Sequence, residues 1–315
     1  MIFEISIAIP TKDREKDLLK CVESVKDQTL LPLEVLIIDD GKISELTKSS
    51  IQKLLSEKQI SFRYFKKNKP SLAESKNLGA KRANGNIILF LDDDVVLERD
   101  YLERLLEVWE KNKEDKKLAG VSGMVTNVKE KYLIEKIFNR IFFLYSLRPW
   151  SILPWGFQTH DYNLRKEEKT EWTPCGFTSF RKEIFDQCQF KPLQSGRTAL
   201  EDIEFCWRLK KDGYYFIITP FAKLIHNESQ TGREEAMISG YKEGFNRCLI
   251  FKTHTQKTFK NYLCFLIATL GWIIRQWLAI FIEPRLALNH FFYSVGLIKG
   301  NFCFLIKYLC KKRPF

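Results

Sequence analysis

The sequence predicts an α/β fold, a mostly parallel sheet flanked by helices, followed by a C-terminal helical segment that is both apolar and basic. Three observations carry that expectation. In the first third of the chain, short apolar runs alternate with stretches whose apolar residues recur at helical spacing. Three of those runs end in polar groups: Thr11-Lys12-Asp13, Asp39-Asp40-Gly41 and Asp92-Asp93-Asp94. From Phe259 onward the chain is apolar and carries eight Lys or Arg against one acid, Glu283, a balance of +7 out of the total of +12.

Each element can be justified in order. "EISIAIPT" reads as a buried strand, and "REKDLLKCVESVKDQ" places Leu18, Leu19, Val22 and Val25 on one helical face. "LEVLIIDDG" is a second strand, "ISELTKSSIQKLLSEK" a helix and "ISFRYFKK" a short strand. "LAESKNLGAKRAN" is a helix with Gly85 as its stop signal, "IILFLDDD" the next strand and "RDYLERLLEVWEKN" the next helix. Such alternation implies right-handed crossovers, and ligands of these sheets bind beyond the carboxyl ends of the strands.

The middle is less regular. "YLIEKIFNRIFFLYSL" has Ile134, Ile137, Phe138, Ile141 and Phe142 at helical spacing and is expected to pack on the core, with contact to a membrane as the alternative. "LRPWSILPWGFQTHDY" is a loop. "EWTPCGFTSFRKEIFDQ" reads as a strand, a turn at Pro174 to Gly176 and a helix from near Arg181. A helix then starts near Glu201, breaks at Gly213 and gives way to a strand ending at His226. Three segments follow: 1–126, 127–228 and 229–315.

Asp92-Asp93-Asp94 poses a physical problem. Three like charges at one point repel one another and raise their own pKa values unless something positive sits there. A divalent cation carrying a phosphate would answer it. The plainer reading is a helix N-cap with solvated neighbours. If strand geometry persists, Asp93 points away from Asp92 and Asp94.

Composition excludes other classes. Apolar residues make up 45% of the chain, enough for a sizeable core. The 8 cysteines include no C-x-x-C pair, which argues for reduced thiols in a cytosolic compartment over disulfides or zinc. No charged start followed by a long apolar core is present, so a secretory signal is not expected. No G-x-G-x-x-G follows the first strand, which excludes a dinucleotide-dependent dehydrogenase. The basic tail is too rich in Leu, Ile and Phe for nucleic-acid binding and fits a membrane surface. Residues 261–282 are long enough to span a bilayer, but Arg275 and Gln276 interrupt them, so helices lying in or on the membrane are expected. A hairpin packed on the catalytic domain or on a second copy is the alternative.

These pieces, in this order, resemble an inverting family 2 glycosyltransferase of the GT-A, Rossmann-like fold. "SIAIPTKDREKDLLKCVESVKDQT" resembles that family's opening strand and helix, and "EVLIIDDGK" its V-V-D-D-G-S strand end. "ESKNLGAKRANGNIILFLDDDV" resembles its A-R-N-x-G helix followed by the D-x-D strand. "CGFTSFRKEIFDQCQF" resembles the segment before the acceptor site, and "LEDIEFCWRLKKDGYYFIITPFAKLIHN" the E-D helix and closing strand. The likeness covers roughly residues 3–228.

The resemblance implies residue roles. Asp94 would ligate Mn²⁺ or Mg²⁺, and Asp92 would reach the metal through water or the ribose of the donor. Asp93, Pro10, Thr11, Asp13, Arg14, Asp39 and Asp40 would line the nucleotide-sugar site. Asp39 is favoured as the acceptor of a uracil N–H, which favours UDP. Lys76 and Asn77 match an Arg-Asn pair; Lys keeps the charge but loses the planar fork. Asp202 would be the base that takes the acceptor hydroxyl proton, with Glu201 orienting base or acceptor. The plainer reading of that pair is a helix-start acid cluster. His226 would complete the metal site as a neutral imidazole. Cys175, Gly176 and Phe177 would line the acceptor side, Gly176 permitting close approach, and Trp172 would offer a stacking face or simply fill the core.

"CWRLK" stands where processive relatives carry Q-x-x-R-W, so transfer of one sugar is expected. The implied partners are a nucleotide-diphosphate sugar and a lipid-linked or glycan acceptor, at the cytoplasmic face of a membrane. The alternatives are a non-catalytic sugar- or nucleotide-binding relative, and a nucleotidyltransferase, which would need a Gly-rich phosphate loop that "IPTKDREKDLL" lacks.

Overall fold

A computed structural model describes residues 3–128, 133–193, 199–229 and 234–310 of the 315-residue chain. Its strands are β1 (Ile5–Thr11), β2 (Glu34–Asp39), β3 (Ser61–Lys66), β4 (Ile87–Phe90), β5 (Val95–Leu97), β6 (Leu118–Val125), β7 (Glu168–Thr170), β8 (Thr178–Arg181) and β9 (Tyr215–His226). Its α-helices are α1 (Glu15–Lys26), α2 (Glu45–Ser56), α3 (Leu72–Arg82), α4 (Tyr101–Lys111), α5 (Leu133–Ile141), α6 (Ile184–Gln187), α7 (Glu201–Lys211), α8 (Ala236–His254), α9 (Phe259–Ile282) and α10 (Ala287–Cys310).

The chain divides into two compact units. The first comprises Met1–Glu130, Asp161–Gly196 and Phe205–Arg233; the second comprises Lys131–His160, Arg197–Glu204 and Glu234–Phe315. Both are discontinuous in sequence, and the boundary runs through α7.

The first unit holds the sheet, ordered β3-β2-β1-β4-β8-β6-β9-β5, with β7 on β9. β1 to β4 are parallel, as the strand–helix alternation predicts. Beyond β4 the sheet is mixed: β8 runs antiparallel to β4 and β6, and β5 and β7 run antiparallel to β9. No helical crossover of the βαβ kind precedes β5, which follows β4 after only four residues, so it cannot return in parallel. β1, β2, β4 and β6 are buried along their whole length, which is why they read as continuous apolar runs. One cluster runs from Ile7 and Ile9 through Leu18, Val22 and Val25 to Trp109. Phe180, Phe185, Phe190 and Phe205 add an aromatic cluster, with Phe190 stacked on Phe205 at 4.1 Å between ring centres.

The second unit is helical, and its apolar cluster joins Phe138, Phe142, Leu144 and Phe157 to Phe251, Phe265 and Ala268. α8 and α10 meet without an intervening layer of side chains. A Cβ on Gly240 would run into the backbone at Tyr293 and Leu297, and one on Gly244 into Leu297. A Cβ on Gly296 would meet the backbone at Met237 and Tyr241, and one on Gly300 the backbone at Tyr241 and Phe245. Beside this contact α8 buries an ion pair, Arg247 to Glu243 at 2.8 Å, and the Tyr293 hydroxyl donates to the same Glu243. Arg247 also donates to the Gly156 carbonyl and to Gln158, both at 3.2 Å, so the buried charges are compensated.

The expectation that Ile134, Ile137 and Ile141 pack on the core is not met. They stand 77%, 48% and 61% exposed on α5, while the neighbouring Phe138 and Phe142 are half-buried against the helical unit's apolar cluster.

Gly300→Val forces two backbones apart and should lower unfolding free energy by about 1–3 kcal/mol, the usual cost of overpacking. Urea or thermal unfolding measures it; an unchanged midpoint would show that the helices are not in backbone contact there.

Candidate active site and divalent-cation centre

β4 ends at Phe90, and the chain turns at Asp93-Asp94 before β5. Strand alternation therefore lapses, and Asp93 does not simply point away from its neighbours. It is 4% exposed, accepts from the Thr11 hydroxyl at 2.7 Å and pairs with Arg14 at 3.0 Å. The same Arg14 nitrogen lies 3.3 Å from Asp94. β9, running antiparallel to β5, sets His226 opposite Val95. From there its Nε2 comes within 3.1 Å of Asp94 Oδ1, and the Ser229 amide donates to Asp94 Oδ2 at 2.9 Å.

Electrostatics follow from these contacts. Burial raises Asp94, but His226, Arg14 and the Ser229 amide outweigh it and hold the carboxyl at about 2. Asp93 goes the other way: burial pushes it up to about 6 against the pull of Arg14 and Thr11. Burial lowers His226, yet the bond to Asp94 and the nearby carboxylates leave it above its ordinary 6.5.

One ligand atom from each of Asp92, Asp94 and His226 can be chosen so that all lie within 4.8 Å of one another. Two carboxylates and an imidazole suit a divalent cation such as Mn²⁺, which accepts hard oxygen donors and tolerates nitrogen. The residues present therefore fit such an ion. Gly176 is part of the arrangement. Any Cβ there would strike the Asp92 carboxylate, and the Gly176 carbonyl accepts from the Asp92 amide at 2.6 Å. The close approach expected at Gly176 is thus made by Asp92 itself.

The other strand ends are more committed to the protein than the sequence suggested. Asp39 is fully buried and accepts from Tyr64 at 2.6 Å, Lys66 at 3.1 Å and the amides of Gly41 at 2.7 Å and Ile43 at 3.2 Å. With four donors on two oxygens, it fastens the strand-end loop to β3. Asp40 accepts from the Ser71 amide and the Ser75 hydroxyl and lies 3.0 Å from Lys67. Asp13 adopts φ 56, in the left-handed region, and its Oδ1 accepts from the Lys42 amide. Pro10 is a buried residue of β1.

Lys76 and Asn77 are both engaged by Phe190. Lys76 is 2% exposed with its ammonium over the Phe190 ring, and Asn77 bonds both the amide and the carbonyl of Phe190. Both brace α3 against the segment after β8. Trp172, Cys175 and Phe177 are buried, and the Cys175 thiol faces the Thr173 carbonyl. Phe177 sets its ring edge against His226.

Glu201 and Asp202 open α7 in the second unit, Glu201 buried and Asp202 half-buried. Leu200, just before them, has φ 70, a conformation that costs a non-glycine residue of order 1–3 kcal/mol. α8 holds this turn: Asn246 donates to the Ala199 carbonyl at 3.0 Å, and His254 lies 3.3 Å from Glu204. Neither Asn246 nor His254 was singled out in the sequence, nor was Ser229. An amide donor and two ordinary side chains carry no signal until the fold brings them round.

The fold is of the GT-A class. Over 99% of this chain and 89% of the other, it superposes on the mannosyltransferase PcManGT from Pyrobaculum calidifontis, in complex with GDP-Man and Mn²⁺, with a TM-score of 0.59 and 13% identity. Residues 6–188 match the model of glycosyl transferase family 2, and the chain belongs to that family. Among curated relatives, an uncharacterized glycosyltransferase of Rickettsia felis is 38% identical over 112 residues, 35% of this chain and 18% of that protein. A dolichyl N-acetyl-alpha-D-glucosaminyl phosphate 3-beta-D-2,3-diacetamido-2,3-dideoxy-beta-D-glucuronosyltransferase of Methanococcus voltae is 32% identical over 130 residues, 40% of each chain. The chain thus matches less than half the length of either relative.

Two outcomes follow. Gly176→Ala should push Asp92 aside and weaken Mn²⁺ binding by about 10–100-fold, the range for residues that hold metal ligands in place. Titration calorimetry reads it, and unaltered affinity would remove Asp92 from the ion's ligands. The second concerns the ion-free chain. Because the folded pKa of His226 is raised, its stabilisation is complete below the unfolded value of 6.5 and is lost as pH climbs through the folded value. Unfolding free energy should therefore decline above pH 6.5, and His226→Gln should abolish that decline.

Proposed function

We propose that this chain is a metal-dependent inverting glycosyltransferase. It moves one sugar from a nucleotide-diphosphate sugar, UDP-sugars favoured, to a hydroxyl of a lipid-linked or glycan acceptor in cell-surface glycan or glycoprotein biosynthesis. The observation that carries the reading is the gathering of Asp92, Asp94 and His226 at the strand ends of a family 2 chain. The solved mannosyltransferase with GDP-Man and Mn²⁺ supports donor class and ion alike, and the archaeal relative's name supports a dolichyl-phosphate-linked acceptor.

Mn²⁺ or Mg²⁺ held by Asp92, Asp94 and His226 would supply charge stabilisation for the diphosphate leaving group. The chain's own residues do the rest. Arg14 and the Ser229 amide keep Asp94 ionised and oriented. Pro10, Thr11, Asp13, Asp39 and Asp40 shape the nucleoside end, Asp39 by fastening the strand-end loop through its four donors. Lys76 and Asn77 act by fixing α3 beneath it. Asp202 takes the acceptor proton as the hydroxyl oxygen attacks C1 on the face opposite the departing diphosphate, and Glu201 orients it. Trp172, Cys175, Gly176 and Phe177 support the acceptor side.

Residues 1–126 form the donor half, 127–228 the acceptor half, and 229–315 associate with a membrane, on its cytoplasmic side. Among the described residues, α9 is long and apolar enough to cross a bilayer, and most of its apolar residues are not buried in the protein. Arg275 and Gln276 near its middle favour a helix lying at the surface.

A donor screen tests the reading. Nucleotide-diphosphate release from a panel of sugar nucleotides should require Mn²⁺ or Mg²⁺ and stop in excess chelator. Asp202→Asn should keep donor binding and lose about 10²–10⁴-fold in transfer, the range for general-base catalysis. Release of a sugar 1-phosphate in place of a nucleoside diphosphate would make the chain a nucleotidyltransferase; full transfer by the variant would remove Asp202 as base.

A further inference from the structure

α5 leaves an apolar face that the core does not use. Leu133, Ile134, Ile137 and Ile141 are 73%, 77%, 48% and 61% exposed. Their spacing puts all four within one helical arc. Phe138 and Phe142 adjoin this arc on its core-facing edge, Phe142 lying against Gly271 of α9. Lys136 and Arg140 are exposed and border the aliphatic arc. The remaining charge, Glu135, is paired with Arg275 of α9 at 2.5 Å, so the outward face carries basic residues and no unpaired acid. α5 is thereby tied to a helix that itself exposes Leu263, Leu266, Leu270, Trp277, Leu278, Phe281 and Ile282.

We propose that α5 is an interfacial anchor that docks its Leu133–Ile134–Ile137–Ile141 face into the headgroup region of an anionic bilayer. The proposal rests on the membrane association offered above and adds to it a second, separate element and a lipid charge. Apolar side chains bordered by Lys and Arg are the pattern of a helix lying in a membrane interface, where the long basic side chains reach the phosphates. The alternative occupant, a second copy, is disfavoured by charge. Lys136 and Arg140 border the arc, so pairing two copies through it would oppose like charges, whereas anionic lipid attracts each basic residue by about 1 kcal/mol.

The experiment uses the full chain with phosphatidylcholine vesicles, with or without phosphatidylglycerol, and reads flotation together with quenching by acyl-brominated lipid. Ile137→Trp should gain an emission component, absent from the unaltered chain, that brominated lipid quenches. Ile134→Ser/Ile137→Ser/Ile141→Ser should reduce partition at least about tenfold, since each isoleucine removed from apolar surroundings forfeits a transfer gain of about 1.5–3 kcal/mol at full burial. Lys136→Glu/Arg140→Glu should reduce the preference for phosphatidylglycerol. If the Ile137→Trp chain floats and its added emission stays unquenched, or if a concentration-dependent dimer is abolished by the triple serine variant, the proposal is overturned. Failure to float at all would overturn it too. It would leave glycosyl transfer standing, because nucleotide-diphosphate release to a soluble acceptor is measured without vesicles and none of these positions serves it.

Discussion

The site depends on how three adjacent carboxylates are tolerated at one strand end. Asp92, Asp93 and Asp94 cannot all be ionised and unopposed in a region where Asp93 and Asp94 are almost wholly buried. The chain answers with Arg14 from the start of α1 and His226 from the end of β9, brought in by two different sheet pairings. The compensation is uneven. Asp94, given His226, Arg14 and an amide, stays charged, while Asp93 lies so deep that its proton is held more tightly. Negative charge thus collects where a cation can reach it, and the neighbour that would add repulsion is damped.

Everything nearby serves that balance. The turn at Asp93-Asp94 breaks strand alternation so that both side chains can meet Arg14. Gly176 leaves the space that Asp92 fills, and the antiparallel return of β9 decides that a histidine, and not some other residue of the closing strand, faces the cluster. The mixed second half of the sheet is therefore part of the site's construction. A wholly parallel sheet would not present His226 to Asp94 in this way.

What was legible in the sequence follows from how local each signal is. Apolar runs ending in carboxylates announce strands and their functional edge, because burial on both faces and polarity at one end are written in consecutive residues. Asp92, Asp94 and His226 could be picked out for that reason. The saturation of Asp39 could not, since Tyr64 and Lys66 reach it only through the register that pairs Asp39 with Lys66. Lys76 reads as a solvated helix residue until Phe190 arrives from far along the chain to cover it. α5 shows the opposite failure: its periodicity is real, but periodicity alone does not say which of two apolar arcs the core will take. Phe138 and Phe142 pack on the helical unit's cluster, while Ile134, Ile137 and Ile141 stay exposed.

The glycine contact between α8 and α10 has a mechanical corollary. Side chains between helices normally act as a compliant layer, changing rotamer to absorb small shifts. Here Gly240, Gly244, Gly296 and Gly300 remove that layer, so the two backbones meet directly. The same α8 grips Ala199 and Glu204 through Asn246 and His254. α8 thereby joins the glycine contact with α10 to the turn at Leu200, whose φ is 70.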